Sequence, residues 1–295
     1  MLFFGLNFRM EYVTILSYRY VRMSKPLRYG AFFFEGEPTI MAPHTIAVAG
    51  KGGVGKTTTC GMLIDYLCKK GQGPLLVVDA DANSNLNEVL GVEVDCTLGQ
   101  IREEMANAEL KGTIPSGMTK ADYAEFKFNS ALIEDDDFDM LVMGRTQGKG
   151  CYCFVNGVLK TQVDKYANNY KYVVMDNEAG LEHVARGTLP HVDTMLLISD
   201  CSRRGIQAVG RIAQMIDEMD LKPGKMGLIV NRAPGGVLSE GIKEEIAKQG
   251  LNLLGVLPHD DEVYRCDCDG EPSAKLPEND PMKTALKGIM QSIGI

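Results

Sequence analysis

The chain has 295 residues, 45% of them hydrophobic and 24% charged, with a formal net charge of -8 and a pI near 5.2. That length and composition suit one ordinary α/β core, and the acidic balance excludes binding of DNA or acidic lipid through overall charge. No run of about 18 apolar residues offers a bilayer span, and eight cysteines without a convincing secretory leader point to a reducing cytoplasm, where thiols stay free or bind metal.

Residues 1–40 differ from the rest. They are dense in Phe and Tyr, carry Phe32-Phe33-Phe34, and are interrupted by Arg9, Glu11, Arg19, Arg22 and Lys25. Those charges break the apolar stretch that a signal peptide needs. The apolar residues keep no helical or strand period that would place them in a core. The expectation is an atypical extension, either poorly ordered or upstream of a true start at Met41, with a single domain over residues 41–295.

Beyond it the punctuation is regular. Apolar runs predict strands at residues 45–50 (TIAVAG), 74–79, 139–143, 171–176, 193–198, 226–231 and 252–256. Helical periods fall between several of them, over residues 58–70, 206–219 and 240–249. Continuous Val/Ile/Leu strands alternating with helices predict a mostly parallel sheet of about seven strands, covered on both faces. The polar stretch 105–130, with IPSGM inside it, is expected to be an insertion over one sheet edge.

The first strand runs into GKGGVGKTT: Gly50, Lys51, Gly52, Gly53, Val54, Gly55, Lys56, Thr57 and Thr58. This fits G-x-x-x-x-G-K-[ST], the P-loop of nucleoside triphosphatases. Glycines let the backbone turn tightly and aim N–H groups at phosphate oxygens, and the following helix offers its N-terminus to the same anion. Lys56 is placed to reach the β- and γ-phosphates, and the Thr57 hydroxyl to ligate Mg²⁺. ATP and Mg²⁺ are the expected ligands. Strand 171–176 ends in Asp176, the Walker B arrangement that holds Mg²⁺ through a water, and Gly180 would let the next loop move toward a γ-phosphate. Asp79 and Asp81 lie at the C-terminal edge of the second strand, where open α/β sheets bind ligands.

Lys51 is the more informative residue. The KGGVGKTT form resembles the deviant P-loop of a family that includes cell-division and plasmid-partition ATPases, the nitrogenase iron protein and metallocentre chaperones. That resemblance implies a homodimer in which Lys51 crosses the interface to the partner's nucleotide. It also implies that Asp81 orients the attacking water, with Asp79 supporting the magnesium shell. Asn231, followed by Arg232 at a later strand end, would read the adenine edge, and Pro258 would contact adenine or ribose. Pro-His-Asp at residues 258–260 is equally a turn.

Cys151-Tyr152-Cys153 follows the strand at 139–143 and a glycine-containing loop. Two thiolates are half of a four-coordinate site, and a twofold axis would bring the same pair from a second copy. Packed core thiols are the plainer reading of such a pair. Here the likeness becomes specific: SGMTKADYAEFKFNSAL, FDMLVMGR, GCYCFVN and DNEAGLEH resemble the nickel-insertion ATPases that mature carbon monoxide dehydrogenase, and their acetyl-CoA synthase counterparts. The resemblance implies nucleotide-controlled dimerisation and Ni²⁺ or Zn²⁺ held between subunits by Cys151 and Cys153, for delivery to the client enzyme. Two other functions share the fold. One is an iron–sulfur carrier or ATP-dependent reductase; the other is a partitioning ATPase, which predicts a basic amphipathic surface. Cys266-Asp267-Cys268 lies outside the recognised pattern and is expected to be incidental or auxiliary.

Overall fold

The computed structural model describes residues 42–81, 83–145, 161, 163–177 and 191–295. The expected extension, the start at Met41, the Cys-x-Cys pair and Gly180 lie outside them. Eight strands form one sheet in the order β3-β4-β2-β5-β1-β6-β7-β8. They are β1 (His44–Gly50), β2 (Leu75–Asp79), β3 (Ile133–Glu134), β4 (Asp139–Val142), β5 (Tyr172–Asp176), β6 (Thr194–Asp200), β7 (Lys225–Ala233) and β8 (Leu253–Pro258). Seven match the expected runs and all pair in parallel. The eighth, β3, has two residues and pairs antiparallel with β4 at the edge. A strand that short leaves no sequence period to detect.

The described helices are α1 (Lys56–Lys69), α2 (Leu86–Leu90), α3 (Leu98–Lys111), α4 (Lys120–Ala131), α5 (Arg203–Glu218), α6 (Glu240–Lys248), α7 (Asp261–Asp269) and α8 (Pro281–Ser292). Strand residues alternate between two cores, because successive side chains leave a strand on opposite faces. Ile46 and Val48 join Leu63, Leu67, Leu286 and Met290 of α1 and α8 on one face. Ala47 and Ala49 join Ile101, Phe128 and Ile206 of α3, α4 and α5 on the other.

Residues 105–130 are therefore no edge insertion. They span most of the helix pair α3–α4, in which Ile101, Ala124 and Phe128 are fully buried against the sheet. Each helix starts at a capping box, Thr97 with Gln100 and Thr119 with Asp122, in which two otherwise orphaned amides are satisfied at once. The polar residues that suggested an insertion lie on the solvent faces of these helices.

At the other side of the sheet, α8 closes over α1. The buried Lys283 ammonium pairs with Asp65 at 2.7 Å and donates to the Ala274 and Leu276 carbonyls, each at 2.8 Å. This fixes the helix that follows the phosphate loop.

Candidate nucleotide site

The order β2-β5-β1-β6 makes β1 the point where the chain switches direction across the sheet: β2 lies to one side of it and β6 to the other. Ligands of open α/β sheets bind at such a point, beyond the strands' C-terminal ends. Residues 51–55 leave β1 there and lead into α1. Gly50 has no alternative, since a Cβ would stand 2.2 Å from the Ile198 carbonyl oxygen. Gly55, in the left-handed region at φ 88, would set a Cβ 2.4 Å from the Asn231 amide nitrogen. Lys51, Gly52 and Gly53 are exposed; Val54 and Lys56 are buried; Thr57 and Thr58 are half-buried. The Lys56 ammonium curls back over the loop to the Lys51 carbonyl at 3.3 Å.

Asp79 and Asp176 end adjacent strands and are direct register partners, with Asp176 also opposite Val48. Residues paired this way point to one face, about 4.8 Å apart between strands. Both are fully buried. Burial pushes Asp79 up to about 6, against amide hydrogen bonds from Asp81 at 3.0 Å and Leu86 at 3.1 Å. Asp79 thereby organises the turn that carries Asp81, and Asp81 in turn accepts from the Asn83 amide at 2.8 Å.

Asp176 is different. Burial, reinforced by the neighbouring Asp79, raises it to about 7, although Thr57 and Lys56 act in the opposite sense. Neither of its carboxylate oxygens makes a well-directed hydrogen bond to a described residue, although the Thr57 hydroxyl stands close enough to hold it down. Two buried oxygens beside a threonine hydroxyl and a lysine suit a hydrated Mg²⁺, whose charge would offset the desolvation. Mg²⁺ keeps several waters and needs only one or two protein ligands. Thr57 and Asp176 fit that role.

On the far side of the loop, β7 ends in Asn231 and Arg232. The buried Asn231 amide donates to the Val54 carbonyl at 2.9 Å and accepts from the Arg232 N–H at 2.8 Å. The Arg232 guanidinium donates to the Gly53 carbonyl at 3.0 Å. Pro258 ends β8, half-buried. Asp260 two residues on caps α7, accepting from the Glu262 and Val263 amides.

Sequence reasoning missed Arg145. It follows β4 and donates to the Asn83 side chain at 2.5 Å, tying the approach to the Cys-x-Cys segment to the Asp81 turn. A lone arginine after a strand carries no motif that would reveal this contact.

Cys151 and Cys153 lie outside the described residues. Among the described residues no group of three or more His, Cys, Asp or Glu is arranged to hold a metal. Cys266 and Cys268 both lie on α7, where a separation of two turns their side chains roughly 200° apart. Cys266 is buried and Cys268 exposed, so they do not act as a chelating pair. His191 is exposed beside Asp193 at 3.3 Å.

The family model described as "CobQ/CobB/MinD/ParA nucleotide binding domain" matches residues 45–273. The chain belongs to this family. It is a P-loop ATPase of the MinD/ParA type. An uncharacterized ATP-binding protein of Methanocaldococcus jannaschii is 44% identical over 249 residues, covering 84% of this chain and 97% of that one. The carbon monoxide dehydrogenase accessory protein CooC of Rhodospirillum rubrum is 27% identical over 248 residues, 76% of this chain and 87% of its own length. The septum site-determining protein MinD of Pyrococcus horikoshii, solved with Mg-ADP, shares the fold at a TM-score of 0.60 and 18% identity, covering 85% of this chain and 96% of that one. No helix among the described residues is long and apolar enough to cross a membrane.

Proposed function

We propose that this ATPase is a cytoplasmic metallochaperone that dimerises on binding ATP and inserts nickel into carbon monoxide dehydrogenase or acetyl-CoA synthase. Bound Mg²⁺–ATP supplies the phosphoryl group and the cation that balances its charge. The loop amides and Lys56 would hold the phosphates, Thr57 and Asp176 would hold Mg²⁺, and Asp81 would orient the attacking water. Lys51 reaches the nucleotide of a second copy. Cys151 and Cys153, with the same pair from that copy, hold Ni²⁺ (or Zn²⁺) as cargo.

One observation carries this reading. A single chain joins an exposed Lys51 on its phosphate loop to a Cys-x-Cys segment that begins six residues beyond Arg145, itself bonded to the Asp81 turn. The likeness to CooC agrees with it. A membrane-bound partitioning role finds little support in α8. Its Met282, Leu286, Ile289 and Met290 are buried in the core, leaving no apolar face for a lipid surface.

The test is an anaerobic titration with Ni²⁺ and Zn²⁺, with and without ATP, read by native mass. One metal per dimer is expected, lost in Cys151→Ser/Cys153→Ser. Undiminished metal binding by that variant as a monomer would refute the proposal. A brown preparation with visible absorbance would favour an iron–sulfur carrier instead.

A further inference from the structure

The side chains at the end of β7, where Asn231 is expected to read the base, bond to carbonyls of the phosphate loop. In a trans peptide the carbonyl of one residue and the N–H of the next lie in one plane and point in opposite directions. Fixing a carbonyl therefore aims the amide after it. Arg232 fixes the Gly53 carbonyl at 3.0 Å and Asn231 fixes the Val54 carbonyl at 2.9 Å. The Val54 and Gly55 N–H groups are consequently turned away from β7, as a phosphate cradle requires.

Four further features belong to the same contact. Asn231 is 2% exposed, so its bond to Val54 is shielded from competing water. Gly55 is the only residue type that fits beside it, because a Cβ would meet the Asn231 amide nitrogen at 2.4 Å. Arg232 itself sits in the left-handed region at φ 57, uncommon for a residue with a side chain. The β7–β8 register also slips between Val230 and Ala233. The strand leaves regular pairing at the place where it must deliver two donors sideways.

We propose that Asn231 and Arg232 are positioning residues, a brace that holds the phosphate loop in its anion-binding shape independently of the base. The brace belongs to the ATPase itself and does not depend on any metal cargo. It predicts that their loss weakens binding of a ligand that has phosphates and no base. A base-reading Asn231 predicts the opposite: selectivity between ATP and GTP falls while the phosphate site is untouched.

The experiment measures the affinity of the full chain for inorganic tripolyphosphate with Mg²⁺, by competition against a fluorescent ADP, in Asn231→Ala and Arg232→Gly. Glycine at 232 accepts the positive φ, so that variant removes the guanidinium without backbone strain. Arg232→Gly is expected to lose about tenfold or more in tripolyphosphate affinity, the scale of a hydrogen bond with a charged partner, and Asn231→Ala about fivefold, the scale of a neutral one. Asn231→Ala changes no charge, so wild-type tripolyphosphate affinity in that variant overturns the brace. Should Asn231→Ala fail to fold, Arg232→Gly decides. A loss with the wild-type salt dependence supports the brace. An unchanged affinity, or a loss with a flattened salt dependence, overturns it in favour of no role or of direct phosphate contact.

Discussion

Asp176 offers the sharpest quantitative test. In the unfolded chain it ionises around 3.8; in the folded protein burial holds it at about 7. The sign follows from which state binds more protons. Below about pH 4 both states are protonated and Asp176 contributes nothing. Between 4 and 7 the unfolded chain releases its proton while the folded one keeps it, so stability falls by about 1.4 kcal/mol per pH unit. Above 7 both are ionised and the deficit levels off near 4 kcal/mol. Asp176→Asn keeps the shape and removes the titration, and Asp79 remains in both proteins. Nucleotide-free Asp176→Asn should therefore be more stable than wild type, by a margin that widens by about 3 kcal/mol from pH 5 to pH 8. Urea unfolding at several pH values measures it. Adding Mg²⁺–ADP should reverse the ranking, raising the wild-type Tm and leaving the variant nearly unmoved. Parallel stability curves for the two proteins across pH 5–8 would show that Asp176 ionises freely in the fold, and the Mg²⁺ reasoning would fall with it.

Lys51→Ala should bind ADP with wild-type affinity but remain monomeric with a non-hydrolysable ATP analogue in light scattering, since Lys51 is exposed on the loop. Arg145→Ala should leave ATP affinity within about twofold while shrinking the ATP-dependent change in metal affinity. Its exposed bond to Asn83 is worth roughly 1 kcal/mol, and isothermal titration with and without ATP reads the difference. Lys283→Met should lower unfolding free energy by about 3 kcal/mol, the low end for breaking a buried pair, because Lys69 still lies 2.9 Å from Asp65; urea denaturation checks it.

The seven long strands and the phosphate loop were legible because their signals are local: buried β runs are continuous and the loop's glycines have a fixed spacing. Asp176 was legible for the same reason, as a carboxylate ending an apolar strand. The contacts of Asn231 and Arg232 were not. Strand period places them at the right edge of the sheet, but their partners are carbonyls nearly 180 residues earlier in the chain. The helix pair α3–α4 was misjudged because each helix buries a narrow face. In α4 only Ala124, Phe128 and Ala131 are buried, too few apolar positions to stand out against the polar ones.

Sheet order also constrains how a nucleotide signal could reach the cysteines. Reading inward from the edge, β4 leads to the Cys-x-Cys segment, β2 to Asp81, β5 ends in Asp176, and β1 opens the phosphate loop. With strands about 4.8 Å apart, β4 stands about 14 Å from β1. At that separation the two strand ends do not touch, so a signal between them has to pass through the elements in between. The intervening strands are packed and paired, which leaves the turn after β2 as the element able to respond. Asp79 anchors that turn beside Asp176, and Asn83 touches Arg145 on the other side. Coupling between hydrolysis and metal handling would then require the Asp81 turn to move. A locked turn should leave ATP binding intact while uncoupling it from the metal.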